Sequence, residues 1–265
     1  MAAETATSLK RGLAILLALE GGELGVTRIA ELVAREKSQV SRSLKVLAEQ
    51  GLVERDPATL AYRLGWRLFA LAAAAGNQRL VAAAPARLRE LVRSFGEGAH
   101  LSVLQGSGVL TVASESPPHA VQAVGWVGRI VPAGCTSAGY ALLSDHDRRD
   151  LASFMPDAAF RRKHPQAPQS ADELCERLLA ARARGYALAN EEFEPGLVAV
   201  AAPVRDFQGR IVAAVNVSAP SFRFALRLDE AGAQVRTVAD DLSRALGWES
   251  KRRAQDASQS ASMLA

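Results

Sequence analysis

Residues 26–47 read VTRIAELVAREKSQVSRSLKVL and decide the fold of the first part of the chain. Their pattern predicts two short helices joined by a tight turn. In the second helix Val40, Leu44 and Leu47 recur at positions i, i+4 and i+7, which directs one apolar stripe toward the interior. The opposite face offers cations for phosphates, and hydroxyls and an amide for base edges. This arrangement is typical of a helix-turn-helix.

Two further features of this segment support that interpretation. Thr27 and Ser38 are residue types that cap helix N-termini, and they predict where the two helices begin. Between Arg28 and Lys45 there are five cations and two anions. Because most surface helices also expose a polar face to solvent, a solvated helix pair without DNA is the alternative.

The composition of the whole chain sets broader limits. Its 265 residues suffice for one large domain or two ordinary ones, and 49% hydrophobic residues can fill a core. The net charge of +4 is compatible with a polyanionic partner. Cys135 and Cys175 have neither disulfide-framework nor metal-site spacing, and no signal-peptide pattern or membrane-spanning run occurs. We therefore expect a cytoplasmic protein with no metal, no cofactor and no membrane partner.

The segments around the two helices extend the unit. Residues 1–7 are small and polar and are expected to be disordered, and a helix is predicted from Ser8 onward. After the helix pair the sequence predicts a hairpin whose return strand is Leu60–Leu64. This order of elements is that of a winged helix-turn-helix. Arg55 and Arg63 would then lie near phosphate, although surface arginines are often simply solvated.

The remainder of the chain has a different pattern. An alanine-rich stretch from Trp66 to Leu80 predicts a connecting helix, and Pro85 is expected to begin the next one. Strands follow in hairpins, with a further strand predicted at Val121–Trp126. Helices are predicted at Thr136–Leu143, Asp145–Phe154, Asp172–Arg184 and Leu228–Leu246. Strands and helices in separate blocks favour an α+β domain around a mainly antiparallel sheet.

Several motifs along the chain resemble those of one protein family. They are LKRGLAIL, KSQVSRSLKVLAEQGLVERD, YRLG, AHLSVL, CTSAGYALLS, RARGYALANEE and PGLVAVAAPVRDFQGRIVAAVNVSAP, in this order between Leu9 and Trp248. Each motif alone is weak. Their order and spacing together resemble the IclR (isocitrate-lyase-regulator) family of bacterial transcription regulators over nearly the whole chain.

The resemblance implies an architecture and a set of partners. A winged helix-turn-helix would occupy residues 1–65, a linker helix 66–82, a GAF-like α+β effector-binding domain 83–248 and a flexible tail 249–265. Family members bind double-stranded operator DNA as dimers, often paired into tetramers, and respond to a small organic acid or aromatic metabolite. We expect a sequence-specific regulator whose operator affinity such an effector controls. The sequence is compatible with either a repressor or an activator, and with either a dimer or a tetramer.

The residues expected at DNA lie on or beside the second helix, with one on the wing. They are Arg28, Lys37, Ser38, Gln39, Ser41, Arg42, Lys45 and Arg63. The two lysines and Arg28 would hold phosphates, while Gln39, Ser41 and Arg42 would read bases. A dimer would place two copies of the helix in successive major grooves, so a near-palindromic operator is expected.

In the family, the effector lies between the sheet and the loop that enters the helix at TSAG. By this resemblance, and by proximity in sequence, the positions expected to contact it are Leu101, Val103, Trp126, Thr136, Ser137, Ala138, Ala189, Asn190, Ala199, Asn216 and Ser218. The first N–H groups of a helix suit a carboxylate, and Gly139 permits close approach of backbone. Asn216 and Ser218 are two apart on one strand and share a face. Ordinary core is the alternative for the hydrophobic members.

Two alanines depart from the pattern of glyoxylate- and pyruvate-binding members. Ala189 and Ala199 stand where those members have an acidic residue and a cysteine. A small polar acid would lose two polar partners there, and the pocket should be roomier and more apolar. We therefore expect an aromatic or otherwise larger carboxylic acid, or an amide-like derivative of one.

An enzyme and a sensor that does not bind DNA are the competing functions. CTSAG resembles a nucleophile elbow around Ser137, but Cys135 replaces its first glycine and no histidine has a recognisable partner motif. Glu191 and Glu192 are adjacent and would point to opposite faces of a strand, so they cannot both serve one catalytic site. A sensor without DNA binding would need an inert outer helix face, which Arg42 argues against.

Overall fold

A computed structural model describes residues 2–74, 78–117 and 125–248. It divides the chain into two units, Met1–Gln78 and Arg79–Ala265. Within the described ranges, no helix is both long enough and apolar enough to cross a membrane. The tail predicted at 249–265 and most of the strand predicted at Val121–Trp126 lie outside the described residues.

The first unit contains the predicted winged helix-turn-helix. Its elements are α1 (Ala2–Ala18), α2 (Val26–Leu32), α3 (Lys37–Glu49), β1 (Val53–Arg55), β2 (Tyr62–Leu64) and α4 (Trp66–Ala74). The two strands pair antiparallel and form the wing. Ile15, Ile29, Val40 and Leu44 are fully buried in one shared core. The apolar stripe predicted on α3 is therefore the one that the fold buries.

The helix starts in this unit differ from the predictions. α1 begins at Ala2, so the helix includes positions that were expected to be disordered. Gly25 precedes α2 and Glu36 precedes α3, and neither makes a side-chain capping bond. Thr27 and Ser38 consequently lie inside the helices, and the prediction that they cap them is wrong.

Backbone hydrogen bonds, rather than side-chain caps, close the turn between α2 and α3. The N–H of Ala34 donates to the carbonyl of Glu31, and the N–H of Arg35 donates to that of Ala30, both at 3.1 Å. Ala34 adopts a left-handed conformation with φ +51°. This pair of bonds around one left-handed residue is the Schellman motif, which ends a helix without any capping side chain.

The second unit is a mainly antiparallel sheet between two helical layers. Its elements are α5 (Gln78–Phe95, which starts at the unit boundary), β3 (Gly98–Gln105), β4 (Gly108–Glu115), β5 (Ile130–Pro132), α6 (Ser137–Leu143), α7 (Ala158–Lys163), α8 (Ala171–Arg184), β6 (Ala187–Asn190), β7 (Leu197–Arg205), β8 (Ile211–Pro220), α9 (Ser221–Phe224) and α10 (Leu228–Ala245), with 3₁₀ turns at Ala133–Cys135, Arg148–Phe154 and Ala225–Arg227. The strand order is β5-β4-β3-β8-β7-β6, and all neighbours are antiparallel.

Each face of this sheet has its own core. Leu88, Leu101, Val215, Val235 and Leu242 belong to the core between one face and the helices α5 and α10. The core on the other face joins the sheet to α6 and α8, and its members include Leu143, Leu174, Leu178, Ala201 and Ala214. Alternate residues of a strand enter opposite cores, because side chains alternate across a sheet.

Two helix predictions in this unit are wrong. Pro85 lies inside α5 rather than at its start. A proline removes one backbone hydrogen bond, but burial of Ala84 and Leu88 on the same helix face favours a continuous helix. The helix predicted at Asp145–Phe154 is a 3₁₀ turn, Arg148–Phe154, in which only Leu151 is buried.

Candidate functional site

A cavity of about 60 Å³ lies in the second unit, between the sheet and the start of α6. Its lining comes from all six strands, from the start of α6 and from two connecting segments. The lining residues are His100, Ser102, Val109, Thr111, Trp126, Val131, Thr136, Ser137, Ala138, Ala189, Phe193, Leu197, Ala199, Asn216 and Ser218. Among the described residues no aspartate, glutamate, lysine or arginine lines it.

The register of the sheet brings distant residues together on this face. Ala189 of β6 pairs with Ala199 of β7, which pairs with Ser218 of β8. These three form one continuous row across the sheet. Two residues before Ser218, and on the same face of the sheet, Asn216 of β8 pairs with His100 of β3. The cavity floor therefore places two methyl groups beside a hydroxyl, an amide and an imidazole.

The start of α6 forms a second side of the cavity. Thr136 caps the helix: its hydroxyl accepts from the N–H of Gly139 and donates to the carbonyl of Pro132, both at 3.2 Å. A Cβ at Gly139 would lie 1.9 Å from the carbonyl oxygen of Ala133, so only glycine fits there. This close packing against Ala133 fixes the start of α6, where Ser137 and Ala138 line the cavity.

His100 is a buried, titratable lining residue that the sequence did not single out. It is 4% exposed, and its Nδ1 lies 2.9 Å from the Oγ of Ser114 and its Nε2 3.4 Å from the Oγ of Ser218. Burial lowers the pKa of His100 to about 4. The imidazole is therefore neutral at neutral pH and can donate one hydrogen bond and accept one.

Aromatic side chains line the cavity as well. Trp126 is half-buried and its ring centroid lies 5.7 Å from that of His100. The Arg129 guanidinium stacks over the same indole, 4.9 Å from its centroid. Phe193, in the loop between β6 and β7, stacks against Phe160 of α7, and the two ring centroids are 6.3 Å apart.

Most of the positions expected at the effector lie together in this cavity. Those that line it are Trp126, Thr136, Ser137, Ala138, Ala189, Ala199, Asn216 and Ser218. Asn190 does not line it and is exposed at the end of β6. Leu101 and Val103 do not line it either, because they point into the core beneath α5 and α10. The prediction that these two side chains contact the effector assigns them to the wrong face of β3.

Seven lining residues were not identified from the sequence. They are His100, Ser102, Val109, Thr111, Val131, Phe193 and Leu197. A signal existed for two of them: in AHLSVL the polar residues His100 and Ser102 alternate with the buried Leu101. That alternation predicts which face of β3 is polar. Phe193 and Leu197 give no such signal, since the loop between β6 and β7 has no period.

The predicted DNA face of α3 is exposed. Lys37, Ser38, Ser41, Arg42 and Lys45 are exposed and Gln39 is half-buried. The Nε of Arg42 donates weakly to the carbonyl of Ser38 at 3.4 Å, so its terminal nitrogens remain accessible. Within the described part of the chain, Lys37 and Lys45 form no ion pair.

Two other cations proposed for DNA have acidic partners in this structure. Arg28 pairs with Glu31 at 2.9 Å. Arg63 of the wing pairs with Glu54 at 3.1 Å and with Glu23 at 3.4 Å. Glu54 is partly buried and the other side chains are exposed. Exposed ion pairs are worth only about 0–1 kcal/mol, so a phosphate can replace the acid.

The catalytic alternative lacks the required geometry. Among the described residues Ser137 has no histidine as a hydrogen-bond partner, and both ring nitrogens of His100 lie against other hydroxyls. Glu192 is buried and accepts from the hydroxyl of Tyr140 at 2.6 Å instead of facing a substrate position. Within residues 2–74, 78–117 and 125–248, Ser137 therefore lacks the base and orienting acid of a catalytic triad.

Comparison with known proteins covers both units. The family model of the IclR helix-turn-helix domain matches residues 8–57. The model of the bacterial transcriptional regulator IclR C-terminal domain matches residues 72–244. The transcriptional regulator KdgR of Escherichia coli is 30% identical over 248 residues, covering 92% of this chain and 94% of that protein.

Solved structures agree with this match. The Thermotoga maritima IclR structure has a TM-score of 0.72 at 26% identity and covers 92% of this chain and 100% of its own. An IclR homologue from Microbacterium hydrocarbonoxydans, complexed with 4-hydroxybenzoate, has a TM-score of 0.76 at 23% identity. It covers 90% of this chain and 98% of its own. The chain belongs to the IclR family of DNA-binding bacterial transcriptional regulators.

Proposed function

We propose that this regulator binds operator DNA through α3 and binds an aromatic monocarboxylic acid in the cavity of its second unit. Residues 1–65 would hold the DNA-reading part, 66–82 the connection and 83–248 the effector-binding part. The observation that carries the effector class is the cavity lining. It combines aromatic and aliphatic side chains with uncharged hydrogen-bond donors, and among the described residues it has no charged side chain.

The polar groups of the cavity suit a single carboxylate. Ser137 supplies a hydroxyl at the start of α6, beside its own N–H and that of Ala138, whereas the hydroxyl of Thr136 already donates to the carbonyl of Pro132. Asn216 and Ser218 supply an amide and a hydroxyl from β8. A second carboxylate or a phosphate would find no cation there, and an uncompensated buried charge is strongly unfavourable. Dicarboxylic and phosphorylated ligands are thus disfavoured.

The apolar groups suit a planar ring. Trp126, Phe193 and Leu197 offer aromatic and aliphatic contacts, and the alanines at positions 189 and 199 leave room above the sheet. The cavity of about 60 Å³ is smaller than the ~150 Å³ of a cavity that binds benzene, so a ring must displace part of the lining. Trp126, Phe193 and Leu197 are half-buried and can move outward. Ligand entry would therefore be coupled to a movement of these side chains.

For DNA binding we propose a dimer. Two copies of α3 would enter successive major grooves of a near-palindrome, with half-sites about one turn apart or a multiple of that. Apolar side chains on the first unit are exposed in a single chain, among them Leu13 and Leu17 of α1 and Trp66 and Phe69 of α4. A second copy would cover such side chains. Pairing of dimers into a tetramer would then use further surface.

Calorimetry on the purified protein tests the effector class. We expect 4-hydroxybenzoate to bind and to raise Tm, and terephthalate, which adds a second carboxylate to the same ring, to bind at least tenfold more weakly. Pyruvate and glyoxylate are the small-acid controls. Stabilisation by either small acid with none from 4-hydroxybenzoate would contradict the aromatic assignment.

Selection of operators from a random DNA pool tests the DNA half of the proposal. The recovered sites should be near-palindromic, and addition of the bound acid should change operator affinity. Because coupling between two sites is reciprocal, operator DNA must change the affinity for the acid by the same factor. Equal acid affinity with and without DNA would exclude an effector role.

A further inference from the structure

The loop between β6 and β7 forms one side of the cavity and has a fixed internal geometry. Glu191 begins it in a left-handed conformation with φ +58°. Its carboxylate accepts from the N–H of Gly196 at 3.0 Å, and its own N–H donates to the carbonyl of Leu197 at 2.9 Å. Phe193 and Leu197 extend from this loop to the cavity. The position of the loop therefore decides how far apart the sides of the cavity lie.

A buried carboxylate attaches this loop to the opposite side. Glu192 is 4% exposed, and its Oε2 accepts from the hydroxyl of Tyr140 at 2.6 Å. Tyr140 is 1% exposed and belongs to α6, whose first residue, Ser137, also lines the cavity. A short hydrogen bond to an ionised acceptor is stronger than a neutral one. This bond joins the two elements between which a ligand would lie.

Among the described groups around Glu192, Tyr140 is the buried hydrogen-bond partner of its carboxylate. Arg177 of α8 pairs with Oε1 at 3.1 Å, but its side chain is 51% exposed, so solvent screens the pair. The thiol of Cys135 is the other titratable group nearby, and burial together with Glu192 raises its pKa to about 12. Cys135 therefore stays protonated and adds no charge. Burial also raises the pKa of Glu192, and its hydrogen bonds to Tyr140 and Arg177 act in the opposite direction.

We propose that Tyr140 and Glu192 are positioning residues that set the width of the cavity and thereby the size of ligand that it accepts. Neither lines the cavity, so they act through their neighbours Ser137 and Phe193. The inference rests on the proposed effector role of the cavity. Without the hydroxyl of Tyr140, the loop would occupy the binding position for a smaller fraction of the time, and apparent affinity falls in proportion to that fraction.

The test compares two ligands in Tyr140→Phe, which removes one oxygen and keeps the ring. We expect the Kd for 4-hydroxybenzoate to rise about tenfold, because the competent fraction falls. The Kd for the wider 6-hydroxy-2-naphthoate should rise less or fall, since a loosened loop admits a larger ring. The ratio of the two constants is the readout. Loss of stability alone would move both constants together.

Two control variants separate positioning from stability. Glu192→Gln keeps an acceptor for the Tyr140 hydroxyl but removes its charge, so its ratio should lie between those of the wild type and Tyr140→Phe. Val235→Ala removes buried methyl groups from the other core, between the sheet and α10, and should lower Tm without changing the ratio. If Val235→Ala shifts the ratio as Tyr140→Phe does, the positioning role is wrong.

Hydrogen exchange gives a readout that needs no ligand. In Tyr140→Phe, exchange of the amides at 191–197 should accelerate, with no change in α10. Unchanged exchange there would overturn the proposal whether or not the wild type binds an aromatic acid. If the wild type binds neither ring acid, the proposed effector class fails, and the exchange result still decides the positioning role.

Discussion

On α3, the side chains proposed for DNA lie between Lys37 and Lys45 on one exposed helix face, whereas the cavity takes its lining from six strands, one helix start and two connecting segments. The helix face needs only the period of an α-helix and a buried stripe. The cavity needs a correct strand order, a correct register and the correct face of each strand. A local pattern specifies the first, and only the complete fold specifies the second.

The two regions should therefore respond differently to a single added methyl group. In Gly139→Ala, the new Cβ would meet the Ala133 carbonyl at 1.9 Å, and the backbone must move. We expect the second unit to lose more than about 3 kcal/mol of stability, since overpacking against backbone cannot relax easily. Thermal denaturation followed by circular dichroism measures the loss.

Gly12→Ala is the matched control in the first unit. A Cβ there meets nothing within 4 Å, and alanine favours the helix, so stability should stay equal or rise slightly. A large loss in this control, or none in Gly139→Ala, would remove the distinction between an open helix and a closely packed cavity.

A second difference concerns titration, because the cavity buries an imidazole and the α3 face buries no titratable group. His100 has a pKa of about 4 in the folded chain against 6.5 when unfolded. Between these values the unfolded state binds the proton and the folded state does not, so stability falls as the pH drops from 6.5 to 4. The loss should reach roughly 3 kcal/mol at the acid end, and above pH 6.5 it is absent.

Urea denaturation across this pH range tests the assignment with two variants. In His100→Asn the titrating group is gone, so the dependence of the free energy of unfolding on pH should become correspondingly shallower. Ser218→Ala removes only the hydroxyl near Nε2 and should keep the slope. Equal slopes in wild type and His100→Asn would mean that another group is responsible.

On the α3 face, by contrast, a substitution should affect binding and leave the fold intact. Arg42 is exposed and its terminal nitrogens are accessible, so Arg42→Ala should weaken operator binding about 10- to 100-fold, the range for one base-reading side chain. Fluorescence anisotropy measures this loss, and acid affinity without DNA should not change.

Arg149→Ala, an exposed cation of the second unit, is the charge-matched control. It removes the same net charge and should leave operator affinity within about twofold, because an exposed charge that makes no DNA contact is screened by salt. A loss of acid binding in Arg42→Ala would contradict the assignment of the two functions to separate units.

These contrasts explain how far the sequence could be interpreted. Val40 and Leu44 predicted the buried side of α3, since one helix period suffices for that. Spacing within β8 predicted that Asn216 and Ser218 share a face, and both line the cavity. Leu101 was assigned to the wrong face of β3 because the side of a sheet that holds a ligand is a property of the packed layers.

Loops and helix ends were harder to predict, for a different physical reason. Phe193 lies in a loop whose position depends on the long-range bond between Glu192 and Tyr140, which no local pattern encodes. Thr27 and Ser38 have the chemistry of helix caps, but α2 and α3 begin after Gly25 and Glu36 without a side-chain capping bond, and the backbone turn around Ala34 ends α2. Side-chain type alone could not distinguish the two solutions.

The smallest change in stability that we expect concerns the backbone turn at Ala34 that ends α2. The left-handed φ of +51° at Ala34 destabilises the folded state by about 1 kcal/mol, and glycine would remove this strain. Glycine also gains freedom in the unfolded chain, which offsets part of the benefit. Ala34→Gly should therefore raise the stability of the first unit by about 0.5 kcal/mol and leave operator affinity unchanged.

Ala48→Gly in α3 is the control, because the same replacement at a helical position should destabilise by up to about 1 kcal/mol. Opposite signs for the two variants, measured by urea denaturation, are the expected result. If Ala34→Gly destabilised the unit as Ala48→Gly does, the Schellman turn could not be what fixes the end of α2. In that case the orientation of α3 would have to come from the shared core of Ile15, Ile29 and Leu44 alone, and the DNA face would depend on tertiary packing as much as the cavity does.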